Sequence, residues 1–149
     1  MTDRLHPARI AQERMRSVAR ALFARRLPVT RGTVTVPGLE APVTIVRDRW
    51  GIPHIEARTE PDAWFTLGFC QAQDRTFQLE FLRRLVRGEL AAVLGPHGLP
   101  FDRLARRVGF RRAALRQLPR IAPDVRAQVE AFLAGLQAGL ERGLSGRPL

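Results

Sequence analysis

Residues 59–88 constrain this chain more than any other segment. Thr59-Glu60-Pro61-Asp62 is a helix start: a threonine cap, a proline in the first turn where no backbone donor is needed, and an acid three residues after the cap. Gly88 supplies the left-handed backbone that ends a helix. Between them Ala63, Leu67, Cys70, Phe77, Phe81 and Leu85 recur at helical spacing and predict one apolar face. Asp74 falls in the middle of that face, flanked by Gln71 and Gln78. A carboxylate among apolar groups is costly unless it is paired and hydrogen-bonded. The pattern therefore predicts a partner for Asp74: Arg47, Arg75, or the backbone donors of a nearby turn. On the opposite side Phe65 and Phe69 sit among Thr66, Gln73 and Thr76. A helix start that is apolar nearly all round predicts cover on both sides, and so a large apolar interface with another chain or a missing segment.

Upstream, residues 33–36, 43–47 and 53–57 predict three short strands separated by the turns Pro37-Gly38 and Asp48-Arg49-Trp50-Gly51. They form a small antiparallel meander. Downstream, Gly95-Pro96-His97-Gly98 predicts a loop, a helix follows Asp102 with a bend near Gly109, and a last helix opens at Pro123-Asp124. Its stripe is Val125, Val129, Phe132, Leu136 and Leu140. The class is α+β, mostly helical. Residues 1–28 form a basic amphipathic extension, with Ala11, Met15, Val18 and Leu22 on one side and Arg9, Arg14, Arg16, Arg20 and Arg25 on the other. Residues 29–149 form one domain, incomplete at its C-terminal end.

A hydrophobic content of 45% excludes a disordered chain. The single cysteine, Cys70, excludes a disulfide framework, and His6, His54 and His97 are too scattered to form a local ligand set. The net charge of +11 comes with 25 basic residues, all arginine. They are spread along the chain rather than clustered with aromatics, which speaks for a compositional preference and against a specific nucleic-acid surface. An Arg-rich module for nucleic acid or an anionic surface, or a non-functional fragment, remains the alternative, and the charge favours anionic partners. No apolar run is long enough for a membrane span or a signal peptide, so a cytoplasmic location is expected.

No catalytic set can be assembled. Ser17 and Ser145 have no base near them in sequence, and Thr2 heads an Arg-rich stretch with no strand after it. Cys70 with His54 makes a nominal pair, but Cys70 lies on the packed helix face, the setting of an inert thiol.

In order, Arg47, Asp48, Gly51, Pro53, His54 and Ile55 are followed by Asp62, Gly68, Phe69, Ala72, Gln73, Asp74, Arg75, Gln78, Leu79 and Glu80. Next come Arg83, Arg84, Gly88, Leu90, Ala91 and Gly95, then Asp102, Arg107 and Gly109, with residues 132–138 as a later helix. This succession resembles the start of the α chain in the penicillin acylase (penicillin amidase) family of N-terminal nucleophile hydrolases, over residues 43–140. The resemblance implies the α-chain part of an αββα fold, made within a precursor that cuts itself into α and β chains. The β chain's N-terminal serine would be the nucleophile, its α-amino group the base, in an αβ heterodimer. The implied reaction is hydrolysis of linear or side-chain amides, on β-lactam side chains, glutaryl-type cephalosporin precursors or acyl-homoserine lactones. The family's α-chain pocket residues, and the glutamate that binds calcium in some members, lie beyond these residues. The resemblance thus implies structural rather than catalytic roles for Arg47, Asp48, Gly51, Pro53, His54, Gln73, Asp74, Arg75, Gln78, Glu80, Arg83 and Arg84. It implies no cofactor in this chain and allows calcium in the complete enzyme.

Overall fold

The computed structural model describes residues 31–144 together with Met15. The expected N-terminal helix, Thr2, Ser17 and Ser145 lie outside the described residues. Two strands, β1 (Thr44–Arg47) and β2 (Pro53–Glu56), pair antiparallel with Ile45 opposite Ile55 and Arg47 opposite Pro53. Ile45, Arg47, Pro53 and Ile55 share one face of this hairpin, and Thr44, Val46, His54 and Glu56 share the other.

The expected third strand is absent: residues 33–36 join no sheet. Pro37-Gly38 does turn, with Gly38 at φ 102°. The chain is then drawn away, because the amides of Glu40 and Ala41 donate to the Asp62 carboxylate at 2.9 and 3.1 Å. Those bonds take residues 40–41 to the start of the long helix instead of folding 33–36 along β1.

That helix, α1 (Glu60–Arg87), starts and stops where its sequence dictates. The Thr59 hydroxyl oxygen accepts the Asp62 N–H at 3.3 Å, and Gly88 closes the helix at φ 70°. It is not one straight rod. Arg75 leaves helical geometry at φ −134°, ψ 20°, and the Thr76 hydroxyl donates back to the Ala72 carbonyl, a bond that bends helices. The kink breaks the expected apolar face. Phe65, Phe69, Cys70 and Ala72 are buried before it, whereas Phe77, predicted as core, is 77% exposed after it.

Short elements follow: α2 (Ala91–Leu94), a 3-10 turn at Gly95–Gly98 where a loop was expected, α3 (Leu99–Val108) and α4 (Phe110–Gln117). The helix expected after Asp102 begins three residues earlier, and Gly109 at φ 80° separates α3 from α4. A 3-10 turn at Leu118–Arg120 leads to α5 (Pro123–Leu144).

The main packing is α1 against α5, and it is made by small residues. Gly68 on α1 lies against the Phe132 and Leu136 backbone, while Gly135 and Gly139 on α5 lie against Phe65 and against Phe69 and Ala72. A Cβ on Gly135 would overlap the Phe65 carbonyl, and one on Gly68 would overlap the Phe132 carbonyl. The backbones therefore approach more closely than an ordinary side-chain layer allows. This corrects two expectations. The cover over Phe65 and Phe69 is this chain's own α5, and the seam on α5 runs through its glycines rather than through Val125 and Val129, which stay 44% and 42% exposed. Among the described residues no helix is long and apolar enough to cross a membrane.

Candidate functional site

The motif residues converge where the hairpin meets α1. Asp48 is the organiser of the turn. Its Oδ1 accepts the amides of Trp50 and Ile52 at 2.8 and 2.9 Å, its own N–H donates to the Ile52 carbonyl at 3.1 Å, and its Oδ2 lies 3.5 Å from His54 Nε2. Gly51 sits at φ 80°, where a side chain is strained, and its N–H returns to the Asp48 carbonyl at 3.0 Å. Partial burial works to raise the Asp48 carboxyl, but the Ile52 and Trp50 amides and His54 outweigh it and hold it below its ordinary value.

Arg47 ties this turn to the helix. Its Nη1 donates to the Gly51 carbonyl at 2.9 Å and to Asp74 Oδ2 at 2.8 Å. Of the partners that the sequence offered to Asp74, the structure selects Arg47. Asp74 is less enclosed than its place on the predicted face suggested, with a side chain 25% exposed, because the neighbouring kink opens the helix there.

Cys70 lies one helical turn before Asp74 and is 1% exposed. Burial pushes its thiol up; the Arg47 charge opposes that rise and Asp74 adds to it. The thiolate, which is the nucleophilic form, is therefore disfavoured. The other half of the nominal pair, the His54 ring, meets Asp48 instead.

Two further aspartates belong to the same design. Asp62 is buried and clamps Glu40 and Ala41; the Glu40 amide bond, helped by Thr59 and Ala41, prevails over desolvation and lowers its carboxyl. Asp102 is buried on α3 and accepts the amides of Leu90 and Ala91 at 2.6 and 3.0 Å, while Arg106 donates twice to the Gly88 carbonyl. The sequence showed Asp62 as a helix-start acid and Asp102 as a motif match, but not these clamps. The signal was present: an acid early in a helix beside a Gly-rich or Pro-rich connection can satisfy the connection's free amides.

The remaining motif residues do not enter this cluster. Glu80 pairs with Arg83 at 2.7 Å and Arg84 at 2.7 Å along α1; the Arg83 hydrogen bond, against desolvation, holds Glu80 low, and Glu80 in turn raises Arg83. Arg75 marks the kink, Gln78 is exposed and Gln73 half-buried. Among the described residues no group of three His, Cys, Asp or Glu is placed to hold a metal. What the arrangement does chemically is satisfy backbone amides and fix one turn on one helix.

Comparison with known proteins places the chain among relatives of one family. The model of the penicillin amidase family matches residues 42–149. The Penicillin acylase 2 proenzyme of Pseudomonas sp. (strain SE83) is 42% identical over 107 residues, covering 72% of this chain and 14% of the relative. The acyl-homoserine lactone acylase QuiP of Pseudomonas aeruginosa is 39% identical over 110 residues, covering 74% of this chain and 13% of the relative. Among solved structures, a thermostable penicillin G acylase from Alcaligenes faecalis superposes with a TM-score of 0.60 at 31% identity, over 68% of this chain and 54% of that one. The chain thus spans only 13–14% of the length of these two Pseudomonas relatives.

Proposed function

The chain belongs to the penicillin amidase family, and from that premise we propose that it is the N-terminal part of the α chain of an amidohydrolase, scaffolding a catalytic centre carried on another polypeptide. The substrates are small amides: penicillin or cephalosporin side chains, or acyl-homoserine lactones, in line with the names of the relatives. The partner is the remainder of the same precursor, giving an αβ heterodimer, and the nucleophile and its base lie there.

One observation carries the scaffold reading. Each motif aspartate is engaged in holding backbone or Arg47: Asp48 in the turn, Asp74 on Arg47, Asp62 on Glu40 and Ala41, Asp102 on Leu90 and Ala91. A general acid or base needs a lone pair or proton within reach of substrate. Here at least one oxygen of each carboxylate is already held by its own chain.

The test is direct. The purified 149-residue chain is incubated with a chromogenic arylacetyl amide, with a penicillin and with an acyl-homoserine lactone, and product is followed. No turnover above buffer is expected from the chain alone. Turnover of any of these by the isolated chain would end the scaffold reading.

A further inference from the structure

Arginine is scattered along the sequence, yet the fold brings several of these side chains to one place. The end of α1, the end of α3 and the start of α4 line a cleft of about 510 Å³. Arg87, Arg106, Arg111 and Arg112 contribute to its wall, and Glu89 is the one acid among the lining residues. Val86 and Ala105 add apolar lining, Ala105 being buried. Glu89 is already engaged, because its Oε1 accepts from Arg87 Nε at 3.0 Å. Arg106, Arg111 and Arg112 are thus left around one cavity with no carboxylate to neutralise them.

Two of these side chains are seated on the backbone rather than swinging in solvent. Gly88 ends α1 and Gly109 ends α3, and each is covered by an arginine of the next helix. A Cβ on Gly88 would fall 2.8 Å from Arg106 Cγ, and one on Gly109 would fall 2.9 Å from Arg112 Nη2. Arg106 also donates through Nε and Nη2 to the Gly88 carbonyl at 3.0 and 2.8 Å, which leaves its Nη1 uncommitted. Arg112 lies on its glycine without an acceptor, so its donors stay open, as do those of Arg111. Guanidinium groups placed in this way lose little freedom on binding. Like charges around one site are also disfavoured until an opposite charge enters it. A compositional preference for arginine explains an arginine at any one position; it does not explain two of them seated on helix-ending glycines at a shared cleft.

We infer that this cleft binds a small polyanion, its phosphate or carboxylate oxygens accepting from Arg106, Arg111 and Arg112. A guanidinium presents parallel N–H donors at the spacing of two oxygens of either group, so the shared chemistry is a compact molecule with two or more such anionic groups. The cavity has the volume of a small-molecule site. It shares no residue with the Asp48, Arg47 and Asp74 cluster, and the inference stands whether or not the chain is a scaffold. An anion held there bridges the ends of α1 and α3 to α4 and so stabilises the folded chain.

Titration calorimetry of the 149-residue chain with pyrophosphate and with citrate tests this. At about 0.15 M ionic strength, charges more than about 8 Å apart are largely screened, so arginines outside the cleft contribute little. A single saturable site is expected for at least one of the two anions. Tighter binding of pyrophosphate assigns the site to phosphates, and tighter binding of citrate to carboxylates. Arg111→Gln with Arg112→Gln should weaken that binding by about tenfold or more. Arg103→Gln with Arg116→Gln removes the same charge from exposed arginines that do not line the cleft, and should change it by less than about twofold. Equal weakening by the two double variants, or no saturable site for either anion, overturns the inference. Amide shifts of the isotope-labelled wild-type chain keep the test independent of how the variants fold. The added anion should move the Val86, Ala105 and Gly109 signals, and shifts spread along the chain without that focus overturn the inference as well. Turnover by the isolated chain, which tests the scaffold reading, is a separate measurement.

Discussion

Arg47 and Asp74, 27 residues apart in sequence, meet at 2.8 Å, and the same guanidinium nitrogen also holds the Gly51 carbonyl at 2.9 Å. One side chain thus closes the turn and fastens it to α1 just before the kink at Arg75. The two side chains are 13% and 25% exposed, between the exposed pairs that contribute almost nothing and the enclosed pairs whose breakage is severe.

Asymmetry between the partners follows. Arg47→Ala removes the contact to Asp74 and the contact to the turn, whereas Asp74→Ala leaves Arg47 on the Gly51 carbonyl. We expect Asp74→Ala to cost about 1 kcal/mol and Arg47→Ala about 2 kcal/mol, the extra coming from the second charge-assisted bond. A double-mutant cycle by urea denaturation should give a coupling near 1 kcal/mol. A coupling indistinguishable from zero would show that the contact does not hold the hairpin.

The α1–α5 seam makes a different demand. Gly135→Ala and Gly68→Ala each place a methyl group where a facing backbone carbonyl already stands, so the helices must separate. Overpacking of this kind costs about 1–3 kcal/mol or more, despite alanine's better helix propensity. Gly139→Ala meets the Ala72 methyl and the Phe69 carbonyl at 2.6 and 2.8 Å and should cost less. Thermal unfolding of the three variants gives the order; a Gly135→Ala protein as stable as wild type would contradict the close approach.

These two relationships differ in how far sequence displays them. The hairpin turn, the ends of α1, the start of α5 and the need of Asp74 for a partner were all legible, because each depends on local chemistry: a cap, a proline, a glycine at positive φ, a carboxylate that needs a charge. Which partner Asp74 takes was not, since Arg47, Arg75 and the turn's amides all satisfied that need on paper. The α+β class and the family were legible for the same reason, since the motif is a string of such local requirements. The kink at Arg75 was not, because a helical wheel assumes one continuous axis and so placed the exposed Phe77 beside Cys70. The glycine seam was hidden too. Glycines carry no hydrophobic signal, and Val125 and Val129 drew attention away from Gly135 and Gly139. The missing third strand failed for a tertiary reason: residues 33–36 alternate well enough, but Asp62 captures the amides that follow them.

Asp62 also sets an acid sensitivity. Its carboxyl is held below the ordinary value by the Glu40 amide above all. A group lowered in the folded state stabilises fully above its unfolded pKa, about 3.9 for aspartate, and loses that contribution as pH falls through its lower folded value. Wild type should therefore lose stability steeply below about pH 4. Asp62→Asn removes the titrating group, so its stability should be lower than wild type at pH 6 and should converge on it in acid. Urea midpoints between pH 2.5 and 6 measure this. Parallel curves for the two proteins would remove Asp62 from the acid response.

Cys70 offers a probe of the core that needs no mutation. It is the sole cysteine in the chain, is 1% exposed, and its thiol is pushed up by burial. Both inaccessibility and the scarcity of thiolate should slow its reaction with a disulfide reagent at pH 8 by several orders of magnitude relative to the denatured chain. Reaction then proceeds through opening of the packing around Cys70, one turn before Asp74 and within the field of Arg47, so its rate under native conditions reports the free energy of that opening. Arg47→Ala, which frees the hairpin from α1 beside the thiol, should raise the rate, and Gly135→Ala should raise it in proportion to the global stability it loses. Rapid labelling of the wild-type chain at the unfolded rate would mean that the thiol is neither buried nor raised, and that the packing over it does not form in solution.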